Sequence, residues 1–385
     1  FGKNISSTDE PITTKIGRSM VCSNKSGRPR YKSKVPTSTP KNAGMATGQT
    51  GGLSHFMPLP RWNTDKNPTG AAGRFSLVFS ISGTMPKGKI VLGTLAPHPP
   101  HVVYAENPEQ NEPISEGGWE TLRWGYNRLA RKLEKIDYDV MVVFTPHWQT
   151  YIGTHFLGLP RFASKSVDPI FPNIFRYSYD LKVDVELSEL MCKKASESGL
   201  ITRMMTNPDF RVDYGTITSC HMLNPKWDKP IITISSNRST HYYSPEVMIE
   251  QALALGKACS EAIEESGKKV VLVSSHSLSH RHFVTESPLP EDMSRERIYN
   301  HSQYVWDMAL IDLFREGKMR EAIDIMPEFT EQTIAETEGG GLIWMMGAMG
   351  MPDYPAEIYG YQSVIGTGNC IAAWVPEANK REIVL

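Results

Sequence analysis

The sequence predicts an α/β fold in which helices flank a central, largely parallel or mixed sheet within a single main domain. Two observations support this class. From Lys87 onward, apolar or β-branched segments of strand length alternate with longer segments of helical length, which is the spacing expected of a largely parallel, buried sheet. The hydrophobic content of 40% in 385 residues is enough to build a substantial core.

The predicted elements follow one another along the chain. The strands are short and rich in apolar or β-branched residues: 90–95, 140–145, 231–235 and 270–274. The helices are longer: 118–136, 244–265, 291–317 and 329–349. Residues 362–365 and 370–375 are expected to pair as a closing hairpin.

Residues 1–84 differ from the rest of the chain in charge and in pattern. They contain 12 Lys or Arg and 3 Asp or Glu, whereas residues 85–385 contain 29 and 39. Their polar composition and lack of a sustained apolar period predict an extension that is disordered or foreign to the main domain, which spans residues 85–385. A basic, acid-poor segment is also typical of nucleic-acid binding or of a transit peptide. Because the main domain is acidic and has no evident stacking platform, no nucleic-acid partner is expected.

The sequence favours a cytoplasmic protein without a membrane segment. It has no run of about 18 apolar residues and no compact apolar signal segment. The cysteines are odd in number and widely spaced, and no CxxC pair is present, so we expect reduced thiols rather than a disulfide framework or a thiolate metal site. The five are Cys22, Cys192, Cys220, Cys259 and Cys370.

Histidines follow three of the predicted strands. In open α/β sheets ligands bind at the carboxyl ends of the strands, so these positions are candidates for a site. A single histidine there is more often a hydrogen-bonded structural residue, but imidazoles from separate strand ends can converge on one point. Prolines beside two of them stiffen the presenting loops. The candidates are His98 and His101 after the first strand, His147 after the second, and His276, His280 and His282 after a later one.

A carboxylate would complete a metal site of this kind. Two imidazoles and one carboxylate on one face of a metal leave the opposite positions open, as in non-haem Fe(II) oxygenases. Glu336 and Glu338 are the best candidates, because the glycines that follow Glu338 permit close backbone approach to a site. The alternative is that both are solvated helix residues and that the glycines mark a turn.

The order and spacing of four motifs resemble the class III extradiol ring-cleavage dioxygenase family over nearly all of residues 86–385. The four motifs are Pro-His98-Pro-Pro, Thr-Pro-His147-Trp, Asp213-Tyr214-Gly215 and Ser277-Leu-Ser-His280. Members that act on protocatechuate have histidine where this chain has Tyr214, so the pattern is more similar to the branch that acts on 2-aminophenol.

The resemblance implies a set of site residues. His98 and His147 would bind Fe(II) together with Glu338. Glu338 precedes a Trp and a Gly-Ala pair, as the family's carboxylate does. Glu336 is the alternative carboxylate. His280 would be the acid/base. Tyr214 would hydrogen-bond the substrate or an oxygen intermediate, or alternatively pack as a core aromatic.

His276 and His282 remain as structural or supporting candidates near His280.

The implied activity is Fe(II)-dependent cleavage of 2-aminophenol, or a substituted 2-aminophenol, by O2 to a 2-aminomuconic semialdehyde. The alternatives are extradiol cleavage of a catechol such as protocatechuate, or a non-catalytic or zinc-binding member of the same fold. The resemblance to two-subunit enzymes also implies a related, metal-free alpha subunit in an α2β2 assembly.

Overall fold

An eight-stranded mixed sheet forms the centre of the fold. The computed structural model describes residues 86–104, 120–170, 172, 175–237, 245–281, 298, 300–376 and 379. The strands are β1 (Lys89–Leu95), β2 (Val140–Thr150), β3 (Thr154–Leu157), β4 (Arg161–Val167), β5 (Arg176–Lys182), β6 (Thr202–Met205), β7 (Ile231–Asn237), β8 (Lys269–Ser274), β9 (Glu357–Val364) and β10 (Thr367–Trp374). Their order in the sheet is β6-β3-β7-β2-β8-β1-β10-β9, and β4 and β5 form a separate two-stranded ribbon.

The centre of the sheet is parallel. β7, β2, β8 and β1 run in the same direction, whereas β10 pairs antiparallel with both β1 and β9. The carboxyl ends of β2, β8 and β1 therefore lie side by side at one edge of the sheet. These are the three strands that the histidines follow in the sequence.

Helices cover both faces of the sheet. They are α1 (His101–Tyr104), α2 (Glu120–Leu133), α3 (Val185–Glu197), α4 (Tyr214–Leu223), α5 (Pro245–Ser266), α6 (His301–Arg315), α7 (Met319–Asp324), α8 (Met326–Thr333) and α9 (Gly340–Ala348). Alternate residues of β2 enter different cores: Val142 and Phe144 pack on one side, and Met141 and Val143 on the other. Because the strand is buried on both faces, its sequence is a continuous run of apolar residues. The predicted α/β class is confirmed.

The predicted helix over residues 329–349 is wrong in one respect, because it is broken in the middle. α8 ends at Thr333, and the residue that caps it, Ile334, has a left-handed φ of 53°. Thr337, Glu338 and Gly339 also have positive φ values, of 43°, 52° and 76°. These conformations end the helical hydrogen-bonding pattern before α9 begins, so the chain changes direction between the two helices.

The segment between the second and third predicted strands contains structure that the sequence did not predict. It holds the β4–β5 ribbon, β3, β6, α3 and α4. The residues of β4 alternate between buried and exposed, so the strand carries the weaker apolar signal of a half-exposed sheet.

Several sequence expectations concern residues outside this description. Residues 1–84, Cys22 and His282 lie outside the described ranges, so the predicted extension and its boundary stay predictions. Within the described ranges, Cys192, Cys220, Cys259 and Cys370 are free thiols. None of the helices described is long and apolar enough to cross a bilayer.

Candidate metal centre and active site

Two imidazoles and one carboxylate converge at the carboxyl edge of the sheet. His98, His147 and Glu336 each offer a ligand atom, and these atoms all lie within 4.8 Å of one another. The two histidine Nε2 atoms are 2.8 Å apart. Glu336 Oε1 lies 3.4 Å from His98 Nε2 and 3.5 Å from His147 Nε2. Among the described residues, this arrangement is the donor set of a facial metal site with open positions opposite.

The strand ends place the two histidines. His98 follows β1 after Pro97. His147 lies within β2, at a bulge where Thr145 pairs with Ser235 and Gln149 pairs with Ser236. The intervening residues, which include Pro146, are therefore extra relative to β7 and turn His147 toward the edge. A proline suits this position because it has no N–H to give to a strand ladder.

Glu336 comes from the broken segment between α8 and α9. Its Oε2 accepts hydrogen bonds from the backbone N–H of Ser277 at 2.7 Å and from the Ser277 hydroxyl at 2.9 Å. The Glu336 N–H donates to the carbonyl of Leu278. The carboxylate is thus tied to the loop that follows β8.

The other carboxylate oxygen supports a bound cation. Glu336 is 4% exposed, and its Oε1 makes no hydrogen bond with any described residue. A buried carboxylate oxygen without a donor is costly. Because two imidazole nitrogens lie beside it, a metal ion bound by all three would satisfy it. The residues present therefore fit a divalent metal.

A serine orients His98. His98 Nδ1 is 2.9 Å from the Ser275 hydroxyl oxygen, and that hydroxyl donates to the carbonyl of Gly215 at 3.0 Å. With the Ser275 proton directed to that carbonyl, the Nδ1–H of His98 donates to the serine oxygen. His98 Nε2 then keeps a lone pair for a metal, which is the usual role of a second hydrogen bond to a ligating histidine.

The charges of the group are coupled. Burial raises the pKa of Glu336, but the imidazoles of His280 and His98 outweigh burial and hold the pKa well below its ordinary value. Burial lowers the pKa of His98, but the charge of Glu336 outweighs burial and leaves the pKa above its ordinary value. The carboxylate is therefore ionised at neutral pH, as a metal ligand must be.

His280 lies beside the three-residue group. Its Nδ1 is 2.8 Å from the Ser277 hydroxyl oxygen, and its Nε2 is 3.8 Å from Glu336 Oε1. The Ser277 proton goes to Glu336, which is ionised and only accepts. His280 Nδ1–H therefore donates to Ser277, and the Nε2 lone pair faces the group.

Tyr214 reaches the same point from the start of α4. Its hydroxyl is 2.9 Å from His147 Nε2. Asp213 caps this helix by accepting from the N–H of Thr216, and it also accepts from the Thr145 hydroxyl on β2. Burial raises the pKa of Tyr214 far above its ordinary value, so the hydroxyl stays protonated and can donate.

The structure corrects the preferred carboxylate. Glu338 was ranked above Glu336, but Glu336 lies in the group with His98 and His147, and Glu338 does not. The reason is local: Thr337 and Glu338 both adopt left-handed conformations, which turn successive side chains away from the direction that helical spacing predicts.

His276 is buried but lies outside the three-residue group. Its Nε2 is 2.6 Å from the Thr337 hydroxyl oxygen, and burial lowers its pKa to about 3. The neutral ring packs against Gly341 of α9. A supporting role for His276 stays a prediction.

A cleft opens beside the group. His98, His147, Tyr214 and His280 all line it. A small molecule bound in this cleft would lie beside the candidate ligands.

Sequence reasoning missed residues that hold this site together. Ser275 and Ser277 orient the histidines, and their signal was present, since both follow β8 in the same loop. Asp307 of α6 accepts from the N–H and hydroxyl of Ser279, which precedes His280. Burial raises the pKa of Asp307 to about 6. A single acidic residue on an amphipathic helix gave no hint of this contact.

Comparisons with known proteins agree with the geometry. A family model described as the catalytic LigB subunit of aromatic ring-opening dioxygenase matches residues 92–372. The beta subunit of 2-aminophenol 1,6-dioxygenase from Pseudomonas sp is 50% identical over 290 residues, which cover 75% of this chain and 95% of the relative. The 3,4-dihydroxyphenylacetate 2,3-dioxygenase of Escherichia coli is 22% identical over 71% of this chain and 94% of its own. The alpha subunit of 2-aminophenol 1,6-dioxygenase from Pseudomonas sp is 22% identical over 66% of this chain and 90% of its own.

Gly341→Ala should destabilise the protein. A Cβ at this position would lie 2.2 Å from Cε1 of the buried His276, and overpacking of this kind costs about 1–3 kcal/mol in the free energy of unfolding. Urea denaturation measures the change. Gly340→Ala is the matched control, because its Cβ would have only the Thr337 hydroxyl at 4.0 Å. Equal stability of the two variants would contradict the packing described.

Proposed function

The chain belongs to the family of catalytic LigB subunits of aromatic ring-opening dioxygenases, and we propose that it cleaves 2-aminophenol, or a substituted 2-aminophenol, outside the carbons that carry the two heteroatoms. Family membership makes it an extradiol dioxygenase, an oxidoreductase. The observation that carries the proposal is the convergence of two imidazoles and one carboxylate beside a cleft that His280 and Tyr214 also line. The substrate is proposed from the relative that shares half of the aligned residues.

The proposed metal is Fe(II), held by His98, His147 and Glu336. When bound, Fe(II) supplies a centre where the ring heteroatoms and O2 meet and exchange electron density. The protein contributes three donors on one side. It also contributes the bonds from Ser275 and Ser277 that keep His98 and Glu336 aimed at the same point.

His280 is the proposed acid/base. The His280 ring lines the cavity beside the three candidate ligands, so its imidazole can accept the proton of the substrate hydroxyl and return it as the ring opens. Ser277 keeps the ring in the tautomer with Nδ1–H. An imidazole can both accept and donate a proton, which suits both transfers.

Tyr214 is proposed to orient the reactants. Its protonated hydroxyl can donate a hydrogen bond to the bound substrate or to oxygen.

We also propose that the chain works with a related second subunit in the cytoplasm. One relative is named as a beta subunit, and a weaker relative is named as the alpha subunit of the same enzyme. The proposed partner is a related, metal-free alpha-type subunit, and the proposed assembly is α2β2.

Ferrous loading tests the activity. The protein is loaded anaerobically with Fe(II), mixed with 2-aminophenol or catechol, and exposed to air while ring-product absorbance and oxygen uptake are followed. We expect oxygen uptake with both rings and a preference for 2-aminophenol. Oxygen uptake with catechol alone would favour a catechol dioxygenase. A tightly held zinc ion without oxygen uptake would favour a hydrolase.

Ligand substitutions test the metal assignment. His147→Ala and Glu336→Gln should lose bound iron, because each removes one of three protein donors. Glu338→Gln is the matched control, since it neutralises a carboxylate two residues away and should keep its iron. Metal analysis after desalting measures occupancy. If Glu338→Gln loses iron and Glu336→Gln keeps it, the carboxylate is misassigned.

His280→Ala should keep iron and substrate binding but turn over slowly. Removing one proton-transfer group typically costs about 10²- to 10⁴-fold in rate. Iron content and anaerobic substrate binding serve as controls beside kcat. A variant with unchanged kcat would remove His280 from the mechanism.

A further inference from the structure

The cavity beside the proposed ligands contains a buried carboxylate that the mechanism above does not use. Asp168 directly follows β4, is 1% exposed, and lines the cavity together with Tyr214 and His280. A buried carboxylate in the wall of a cavity can accept a hydrogen bond from a group of a bound ring.

Asp168 is held in place by the loop that follows the strand. Its Oδ1 accepts from the backbone N–H of Ile170 at 2.7 Å, and its own N–H donates to the carbonyl of Phe175. The first bond holds the carboxylate and the second holds the backbone of Asp168, so the acceptor is in place before a ring enters the cavity.

The charge of Asp168 acts on the groups around the proposed reaction centre. Asp168, Tyr214 and His147 line the same cavity, and the Tyr214 hydroxyl lies 2.9 Å from His147 Nε2. A ring bound beside that hydroxyl would therefore lie in the field of the Asp168 carboxylate. The described residues that line the cavity include neither Lys nor Arg.

A fixed acceptor at this place distinguishes amines from phenols. An aromatic amine that binds a metal through its lone pair keeps N–H bonds, and these can donate to a carboxylate. A phenol that binds a metal loses its proton, becomes negative and has nothing to donate. In a site of low dielectric constant the first contact is favourable and the second is repulsive.

We propose that Asp168 binds the amino group of the substrate and thereby selects 2-aminophenols over catechols and over rings that carry a carboxylate. This inference rests on the proposed function and adds the residue that sets substrate class. A site that hydrogen-bonds one substituent discriminates strongly against an analogue that lacks it.

Asp168→Asn separates this role from a structural one. The amide oxygen can still accept from Ile170 N–H, so the turn is kept while the charge is removed. Asp180→Asn is the matched control, because Asp180 lies in the same ribbon and its ion pair with Arg161 is exposed. Asp168→Ser, whose hydroxyl can also accept the Ile170 bond, is a second variant in case the first does not fold.

The readouts are kcat/KM for 2-aminophenol and for catechol, the anaerobic dissociation constants of both rings, and iron content. We expect Asp168→Asn to lose about 10- to 100-fold in kcat/KM and in affinity for 2-aminophenol, as for a lost hydrogen bond to a charged group. Catechol should be bound as well as before or better, and iron content should not change.

The outcomes distinguish two failures. If the wild-type protein cleaves neither ring, the proposed function fails and this inference falls with it. The inference alone is overturned if the wild-type protein cleaves 2-aminophenol but Asp168→Asn keeps the same preference between the two rings. An equal loss of affinity for both rings would overturn it as well. The Asp180→Asn variant should match the wild type in every readout.

Discussion

The site depends on one ionised carboxylate held in a buried position. Removing a carboxylate from water costs several kcal/mol unless charge and hydrogen bonds compensate. Glu336 receives two hydrogen bonds from Ser277 on one oxygen and faces imidazoles with the other. The surrounding structure places the groups that compensate this cost. The break between α8 and α9 positions the carboxylate, and the adjacent ends of β1, β2 and β8 position the imidazole nitrogens.

The loop after β8 connects the separate parts of the site. Ser275 orients one candidate ligand, Ser277 contacts another, and Ser279 is anchored to Asp307 of α6. Tyr361 of β9 donates to the same buried carboxylate of Asp307. The position of the acid/base candidate is therefore set by contacts that extend from the central strands to the edge of the sheet.

Much of the site could be predicted because its histidines depend on local signals. His98 and His147 follow apolar strands, and the order of parallel strands brings strand ends together. The choice between Glu336 and Glu338 could not be made in this way, because helical periodicity does not reveal left-handed residues inside an apolar stretch. Asp168 was missed for a different reason. It follows a strand whose residues alternate between buried and exposed. In such a pattern an acidic residue is expected to be exposed to solvent.

The Ser277 hydroxyl is shared between two residues with different tasks. It donates to Glu336 and accepts from His280, although Ser277 and Glu336 are 59 residues apart in the chain. An acidic side chain of another length at position 336 would shift the Ser277 hydroxyl and, with it, the ring of His280. The positions of the Glu336 carboxylate and of the His280 ring are thus coupled through one hydroxyl group.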